Sequence, residues 1–300
     1  MKVVELSGGV GGARMARGLA AAPGVELTVV VNVGDDDENH GLAVSPDIDT
    51  VVYTLAGVEG PRGWGRAGDT FRMNDELARF ALDNTFRLGD LDLALKLYRT
   101  WRLGRGDPLS SITAEAARLF GVEQAVLPAS DDRLRTEVRT AEAGWVSFQD
   151  YFVRRACRDE VTKLRFAGAA SPAPGVIEAV TASDLVVIGP SNPPLSIWPI
   201  LAVEPVRVAV AEHRRVVAVS PLFGGKPLKG PADRVMASLG LPRGNRGVAK
   251  AYEGLIDALV VDSGDADGAR LIEGPEVVVE DTRIGDVEAG RRLAEAILRL

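Results

Sequence analysis

The sequence predicts an α/β protein with a doubly wound, mostly parallel Rossmann-like sheet and a largely helical insertion. Six short runs rich in Val and Ile have the pattern of strands buried on both faces of a sheet. They are residues 3–6, 27–31, 185–188, 216–219, 258–261 and 277–279. Helical patterns lie between or after these runs, at 13–22, 50–55, 232–239, 249–255 and 284–298. Strands that alternate with helices are typical of a doubly wound sheet.

The middle of the chain departs from this alternation. From about residue 59 to residue 171 the strand signal thins, and residues 74–83, 91–103 and 111–120 have helical patterns. A small hairpin is predicted at residues 136–140 and 144–148. We therefore predict a nucleotide-binding core formed by residues 1–58 and 172–300, with residues 59–171 as a mainly helical insertion.

Composition narrows the function classes. The 300 residues carry 35 Lys and Arg against 42 Asp and Glu, a formal net charge of −7, so nucleic acid is not an expected partner. One cysteine, Cys157, excludes an internal disulfide framework, and two histidines argue against a multi-His metal site. No apolar run reaches 18 residues, so no membrane span is expected. The N-terminus has the pattern of a strand, not of a signal peptide, and a cytoplasmic location is expected.

Four glycines within five residues follow the first predicted strand: Gly8, Gly9, Gly11 and Gly12. Glycine lets the backbone approach a ligand closely and adopt positive φ, and the helix that follows offers free N–H groups and the positive end of its dipole. We interpret the segment as a phosphate-binding loop; the alternative is a tight turn without a ligand. The kinase-type P-loop pattern is absent, and the dinucleotide pattern fits poorly because Arg14 stands where a small residue is needed.

Acidic residues cluster after the second predicted strand, at the edge where ligands of open α/β sheets bind. They are Asp35, Asp36, Asp37 and Glu38, followed by Asp47 and Asp49 before the helix at 50–55. These charges repel one another unless they are solvated or bridged by a cation, and Mg²⁺ prefers one or two carboxylates together with substrate phosphates. A solvated acidic loop, or a capping role for Asp47 or Asp49, is the alternative.

Two further strand ends carry candidate ligand loops. Ser191 and Asn192 follow the third predicted strand and can donate to a phosphate or read a base edge, unless they only form a Pro-stiffened turn. Lys226 and Lys229 lie beside glycines just before a helix and are candidate anion contacts. From these residues the chain is predicted to bind a nucleotide or diphosphate together with magnesium.

The order of these motifs resembles the 2-phospho-L-lactate transferase family of coenzyme F420 biosynthesis. The motifs that carry the resemblance are residues 8–12, 32–36, 45–50 and 189–193, with further matches at 62–65, 69–70, 88–90, 127–132, 148–150, 219–221 and 226–230. The resemblance covers about residues 2 to 262. Each motif is weak alone, and their number and order make the resemblance specific.

The resemblance implies a magnesium-dependent transferase that is a homodimer. Such enzymes move a phospho-three-carbon-acid unit (2-phospholactate, phosphoenolpyruvate or phosphoglycerate) from a guanosine diphosphate conjugate to the deazaflavin Fo, and GMP leaves. The glycine loop would then cradle the diphosphate. Asp36, Asp47 and Asp49 would bind magnesium, with Asp36 and Asp49 catalytic. Ser191, Asn192 and Lys226 would complete the guanosine diphosphate site.

The resemblance also assigns the acceptor site to the insertion. The residues implied are Trp64, Asp69, Thr70, Gly89 and Asp90, with Trp64 as an aromatic wall for the planar Fo or, alternatively, a core residue. Leu91 stands where the family places an arginine, and Lys96 lies close to the place of a family histidine. An NAD(P)-type oxidoreductase and a non-catalytic nucleotide-binding regulator on the same fold are the alternative functions.

Overall fold

The computed structural model describes residues 1–82 and 84–300. Its strands are β1 (Lys2–Ser7), β2 (Glu26–Val31), β3 (Asp37–Asn39), β4 (Leu42–Val44), β5 (Ala125–Pro128), β6 (Arg135–Thr140), β7 (Gly144–Ser147), β8 (Val161–Ala167), β9 (Leu185–Ile188), β10 (Val216–Val219), β11 (Leu222–Phe223), β12 (Lys226–Pro227), β13 (Ala258–Asp262) and β14 (Glu276–Glu280). Its α-helices are α1 (Val10–Ala21), α2 (Pro46–Leu55), α3 (Arg72–Arg79), α4 (Asp90–Leu103), α5 (Leu109–Leu119), α6 (Val176–Ala182), α7 (Trp198–Leu201), α8 (Glu204–Ala211), α9 (Ala232–Ser238), α10 (Asn245–Ala251), α11 (Ala266–Ala269) and α12 (Val287–Leu298).

Seven parallel strands form the main sheet in the order β14-β13-β10-β9-β1-β2-β5. Numbered along the chain this is 7-6-5-4-1-2-3, the strand order of a Rossmann-like doubly wound sheet with one additional strand. The order reverses between β1 and β9, which are direct neighbours. All six strands predicted from the sequence belong to this sheet, so the predicted fold class is confirmed.

The segment 59–171 contains strands as well as the predicted helices. It contains α3, α4 and α5, but β5 also lies in it and forms the edge of the main sheet beside β2. The predicted hairpin of β6 and β7 gains β8 as a third, antiparallel strand. Strand β5 escaped prediction because only two of its four residues are buried, which leaves a weak apolar signal. The boundaries drawn at residues 58 and 172 stay a prediction; Asp83, in the predicted helix 74–83, lies outside the described residues.

The core is centred on strands whose two faces are both covered. Every residue of β9 and β10 is buried, as expected for the middle of a parallel sheet with helices on both sides. Helix α1 packs closely on α12, where a Cβ added at Gly18 would come within 2.5 Å of the Gly290 backbone. Across the described part of the chain, no single helix is long and apolar enough to span a membrane; one bent pair, Pro193–Leu201 with Glu204–Ala211, meets the test of length and composition across a 95° bend.

Candidate active site

A cleft of about 1010 Å³ opens at the carboxyl edge of the main sheet, where the strand order reverses. The loops that follow β1 and β9 both reach it, because neighbouring parallel strands end at the same edge. Gly9 and Gly11 from the first loop and Pro190, Ser191 and Asn192 from the second line this cleft. Open α/β sheets bind ligands at such a crevice, so the fold brings two of the predicted ligand loops together.

The glycine loop is held against the β9 loop by close backbone contacts. The Gly8 N–H donates to Ser191 Oγ at 3.0 Å. A Cβ added at Gly11 would lie 2.1 Å from the Pro190 carbonyl oxygen, and one at Gly12 would lie within 3 Å of Ser191 Oγ. None of the loop glycines has positive φ. These glycines are therefore required by close packing of two loops and not by a left-handed backbone, and Ser191 serves the loop itself.

Helix α1 begins at Val10, within the glycine segment, so Gly11 and Gly12 lie in its first turn; its N-cap is Gly9, with no side-chain cap. The first-turn N–H groups of a helix have no intrahelical partners, and the helix dipole makes the local potential positive. Gly9, Val10 and Gly11 line the cleft. The start of α1 therefore presents an anion-binding surface to the cleft.

Two buried carboxylates face the cleft beside this surface. Asn32 Nδ2 donates to Asp35 Oδ1 at 3.2 Å and to Asp47 Oδ2 at 3.0 Å, so one amide links both acids. Burial raises the pKa of Asp35 well above its ordinary value, with further contributions from the charges of Asp47 and Asp36. Burial likewise raises the pKa of Asp47 to about 6, against the opposing hydrogen bond from Asn32. Asp47 Oδ1 lies 2.8 Å from the position of a Cβ at Gly9.

The other two predicted metal ligands have different surroundings. Asp36 is buried behind the cleft, where its Oδ2 accepts from Ser45 Oγ at 2.8 Å and its Oδ1 has no partner in the described chain. Burial raises the pKa of Asp36 to about 7, although the charge of Arg135 lowers it. Asp49 lines the cleft, but both of its oxygens accept hydrogen bonds from buried cations.

The pair formed by Asp35 and Asp47 fits a magnesium ion better than the predicted set of Asp36, Asp47 and Asp49. Among residues 1–82 and 84–300, no group of three or more His, Cys, Asp or Glu side chains is arranged to hold a metal. Neither Asp35 nor Asp47 has a cationic partner there, and two like charges in a buried site need a proton or a cation. Mg²⁺ binds through one or two carboxylates plus substrate phosphates. Asp35 and Asp47 offer the two carboxylates, and the adjacent start of α1 suits the phosphates.

Asp49 belongs to a buried network that α4 completes. Lys96 Nζ lies 2.7 Å from Asp49 Oδ2 and also pairs with Asp92, while Arg99 pairs with both Asp49 oxygens. Tyr53 Oη donates to Asp92 Oδ1 at 2.7 Å. Burial alone would raise the pKa of Asp49, but the adjacent Arg99 and Lys96 outweigh burial and hold it below its ordinary value. The four charged side chains sum to zero, and each ion has a partner.

Four of the predicted acceptor residues join the starts of two helices. Asp69 accepts from the N–H groups of Leu91, at 2.7 Å, and Asp92, at 3.0 Å, in the first turn of α4. Asp90 accepts from Thr70 Oγ1 and from two N–H groups at the start of α3. A Cβ at Gly89 would lie 1.9 Å from Asp69 Oδ2. Asp69 and Gly89 also line the cleft, whereas Thr70 and Asp90 do not.

The side chain of Leu91, where the family pattern places arginine, is half exposed and does not line the cleft. The position contributes its backbone N–H to the cap of α4. The second departure, Lys96, is only 2% exposed and lines the cleft. In this chain the lysine pairs with Asp49 and Asp92.

Trp64 is not a core residue. It is 46% exposed and lines the cleft, with Arg62 and Lys229 lying 5.5 Å and 5.1 Å from its ring. Lys229 Nζ also donates to the Arg62 carbonyl oxygen at 2.8 Å, which connects two loops at the mouth of the cleft. Lys226 is exposed and does not line the cleft, so Lys229 is the lysine that this loop offers. The other aromatic residues of the lining are Tyr53, Phe71, Phe86, Phe148, Phe152 and Phe223.

Several site residues escaped sequence reasoning. Asp35 was one of several equivalent acids in the sequence, and only the amide of Asn32 singles it out. The sequence holds one indication that Lys96 and Arg99 form ion pairs. Charged residues at 92, 96 and 99 share a helix face with the apolar Leu95, which indicates that these charges are buried. Ion partners 50 residues away in sequence cannot be read from that pattern.

The fold and cleft define an α/β protein with a Rossmann-like sheet and a cleft at its switch point. The family model described as 2-phospho-L-lactate transferase CofD matches residues 3–293. A phosphoenolpyruvate transferase from Streptomyces griseus is 41% identical over 100% of this chain and 98% of its own length. A 2-phospho-L-lactate transferase from Methanopyrus kandleri is 40% identical over 100% and 97%. This chain belongs to the CofD family.

A solved structure supports the fold assignment. The crystal structure of a UPF0052 family member from Bacillus halodurans superposes with a TM-score of 0.68 at 18% identity, over 99% of both chains. At that identity the likeness concerns the fold alone. The family assignment agrees with the motif order in the sequence.

Proposed function

We propose that this protein is a magnesium-dependent transferase of coenzyme F420 biosynthesis. It moves 2-phospholactate or phosphoenolpyruvate from a guanosine diphosphate conjugate to the ribityl hydroxyl of Fo and releases GMP. Phosphoglycerate is a third candidate for the same unit. The membership of the family and the names of the relatives support the class of reaction.

The observation that carries the proposal is the pairing of Asp35 and Asp47 beside the start of α1. The free N–H groups of Gly9, Val10 and Gly11 suit the oxygens of a diphosphate. Asp35 and Asp47 suit a magnesium ion that contacts the same diphosphate. When bound, magnesium would neutralise the negative charge that develops on the transferred phosphoryl group.

The residues of the chain orient the reactants. The diphosphate is held at the glycine loop. The Asn192 amide oxygen caps the following turn, and no hydrogen bond to the described residues uses its amide nitrogen. The stacked pair of Phe148 and Phe152, with centroids 5.3 Å apart, and the exposed ring of Trp64 offer apolar faces to a planar acceptor. These walls also exclude water, which would otherwise compete with the acceptor hydroxyl.

In the proposed reaction, an oxygen of the Fo ribityl chain forms a bond to the phosphorus nearer the three-carbon acid. The bond from that phosphorus to the oxygen of GMP breaks, and the hydroxyl proton is released. Little covalent chemistry is needed from the protein, because phosphoryl transfer depends on positioning and on charge stabilisation. The cleft provides both from fixed backbone and side-chain groups.

The test is a donor comparison. Purified protein, Mg²⁺ and Fo are mixed separately with the guanosine diphosphate conjugates of 2-phospholactate, phosphoenolpyruvate and phosphoglycerate, and products are followed by mass spectrometry. We expect a phosphodiester of Fo and one GMP per turnover with at least one donor. Asp47→Asn should lower turnover at least about tenfold, while Asp37→Asn, outside the cleft, should not.

Other results would redirect the assignment. Absence of GMP release with every donor would refute the transferase. Binding of guanosine nucleotides without Fo-dependent turnover would favour a non-catalytic regulator. Turnover of NADH or NADPH would favour an oxidoreductase.

A further inference from the structure

A short hairpin loop carries an arginine into the cleft. Residues 59–67 fold back on themselves, with Glu59 and Arg66 in a β-bridge, and the Gly60 N–H donates to the Gly65 carbonyl oxygen at 2.9 Å. The Ala67 N–H donates to the Val58 carbonyl oxygen at the same distance. The backbone of Arg66 is therefore fixed before any ligand binds.

The guanidinium of Arg66 rests on two aromatic rings. Its Cζ lies 5.1 Å from the ring centre of Phe120 and 5.9 Å from that of Tyr53. These rings meet edge to face at 5.3 Å, so they form a rigid support. Arg66 Nε is buried without a hydrogen-bond partner. Arginine combines such stacking with a planar fork that matches a carboxylate.

Arg66 has no carboxylate partner within residues 1–82 and 84–300. Glu59, its neighbour in the hairpin, pairs with Arg17 instead. A cation that lines a cleft and has a fixed backbone, a stacked side chain and no counter-charge is arranged for an anion from outside the protein.

The other cleft-lining cations are already engaged or lie elsewhere. Lys96 pairs with two carboxylates and Arg87 pairs with Asp75. Arg14 is on the helix that follows the glycine loop and donates to the Ile284 carbonyl oxygen at 3.2 Å. Lys229 and Arg62 are both exposed and flank the ring of Trp64 at the mouth of the cleft.

We propose that Arg66 binds the carboxylate of the three-carbon acid and so selects donors that carry this carboxylate; this rests on the proposed function. One face of α2 lines the cleft through Asp47, Thr50 and Tyr53. Asp47 and Tyr53 are about 9 Å apart along the helix axis, and Arg66 lies over Tyr53. A three-carbon acid on a phosphorus held near Asp47 can extend along this face until its carboxylate meets Arg66.

A cation is needed at that point. A carboxylate moved from water into a partly enclosed, aromatic cleft loses hydration that only a charged or multiply hydrogen-bonded partner replaces. A bidentate pair with Arg66 supplies that partner. All three candidate acids carry this carboxylate, so Arg66 selects for acids in general, while the shape of the remaining cleft selects among them.

The test measures binding and turnover separately. The donor conjugate that the wild type binds most tightly and its carboxyl methyl ester are titrated calorimetrically into wild type, Arg66→Gln, Arg66→Lys and the matched control Arg87→Gln. The wild type should bind the acid at least about tenfold more tightly than the ester. Arg66→Gln should reduce this ratio to about two or less, Arg66→Lys should give an intermediate ratio, and Arg87→Gln should keep the wild-type ratio. GDP affinity and the KM for Fo should change less than about twofold in Arg66→Gln, because this residue meets neither.

The outcomes separate this inference from the transferase proposal. An unchanged acid-to-ester ratio in Arg66→Gln, or a wild type that binds both ligands equally, would overturn the role of Arg66 even if turnover is normal. A raised KM for Fo with an unchanged ratio would assign Arg66 to the acceptor and overturn it as well. Loss of the ratio in Arg66→Gln, in a protein that shows no GMP release, would support Arg66 and refute the transferase.

Discussion

Asp49 offers the sharpest test of how the charges of the site are organised. Its carboxylate accepts from Lys96 and Arg99, and all three side chains are at most 5% exposed. Asp49→Asn leaves these cations with only Asp92 as counter-charge, a formal charge of +1 in the buried network. Breaking a buried ion pair by removing one partner costs about 3–5 kcal/mol.

That cost can be converted into a melting temperature. A chain of 300 residues has an unfolding entropy of about 0.6 kcal/mol/K. Asp49→Asn should therefore lower the Tm by about 5–8 °C. Differential scanning calorimetry in EDTA measures this in the metal-free protein. Adding Lys96→Met returns the network to zero charge, and the double variant should melt above Asp49→Asn.

The comparison distinguishes an ion-pair role from a role as metal ligand. If Asp49 served only to bind magnesium, its neutralisation would relieve repulsion in the metal-free protein and leave the Tm unchanged or raised. The matched control is Asp75→Asn, which removes an exposed partner of Arg87 and should cost at most about 1 kcal/mol. A Tm shift for Asp49→Asn no larger than that of Asp75→Asn would refute the reasoning.

Three further predictions follow from the geometry of the cleft. Gly11→Ala places a Cβ 2.1 Å from the Pro190 carbonyl oxygen, so it should cost about 1–3 kcal/mol and weaken nucleotide binding measured by calorimetry, whereas Gly268→Ala, with open space around it, should not. Burial raises the pKa of Asp47 to about 6, so its protonated form favours the folded state below about pH 4 and this contribution is lost as the pH rises through about 6. Mg²⁺ needs the ionised form, and its stabilising shift in Tm should be larger at pH 7.5 than at pH 5; equal shifts would contradict the assignment. Gly89→Ala should lower the Tm because its Cβ displaces the carboxylate that caps α4; an unchanged Tm with a raised KM for Fo would instead indicate a direct acceptor contact.

The fold was largely readable from the sequence because a parallel sheet leaves a strong pattern. Strands buried on both faces are continuous apolar runs, and β9 and β10 match the predicted runs to the residue. The edge strand β5 was missed because one of its faces is less covered. Strand β8 was missed because three of its seven residues are polar or charged, and it is placed by pairing with β6.

The site was only partly readable, for a different reason. Loop composition and strand order predict that the glycines and acids meet at one edge of the sheet. Which acid lacks a cationic partner in the cleft depends on tertiary packing: Asp35 and Asp47 share the amide of Asn32, while Asp49 is paired with two cations of α4. Pairings between residues about 50 positions apart are properties of tertiary packing, and no local pattern encodes them.

The reciprocal caps of α3 and α4 show how a recognisable motif can combine structural and binding roles. Asp69 caps α4, and Asp90 caps α3. This exchange alone accounts for Gly89, since any side chain there collides with Asp69. It also fixes the first turn of α4, from which Asp92 and Lys96 extend to Tyr53 and Asp49. The motif therefore positions the charge network at the floor of the cleft, and its effect on an acceptor can be transmitted through α4 without direct contact by Asp90.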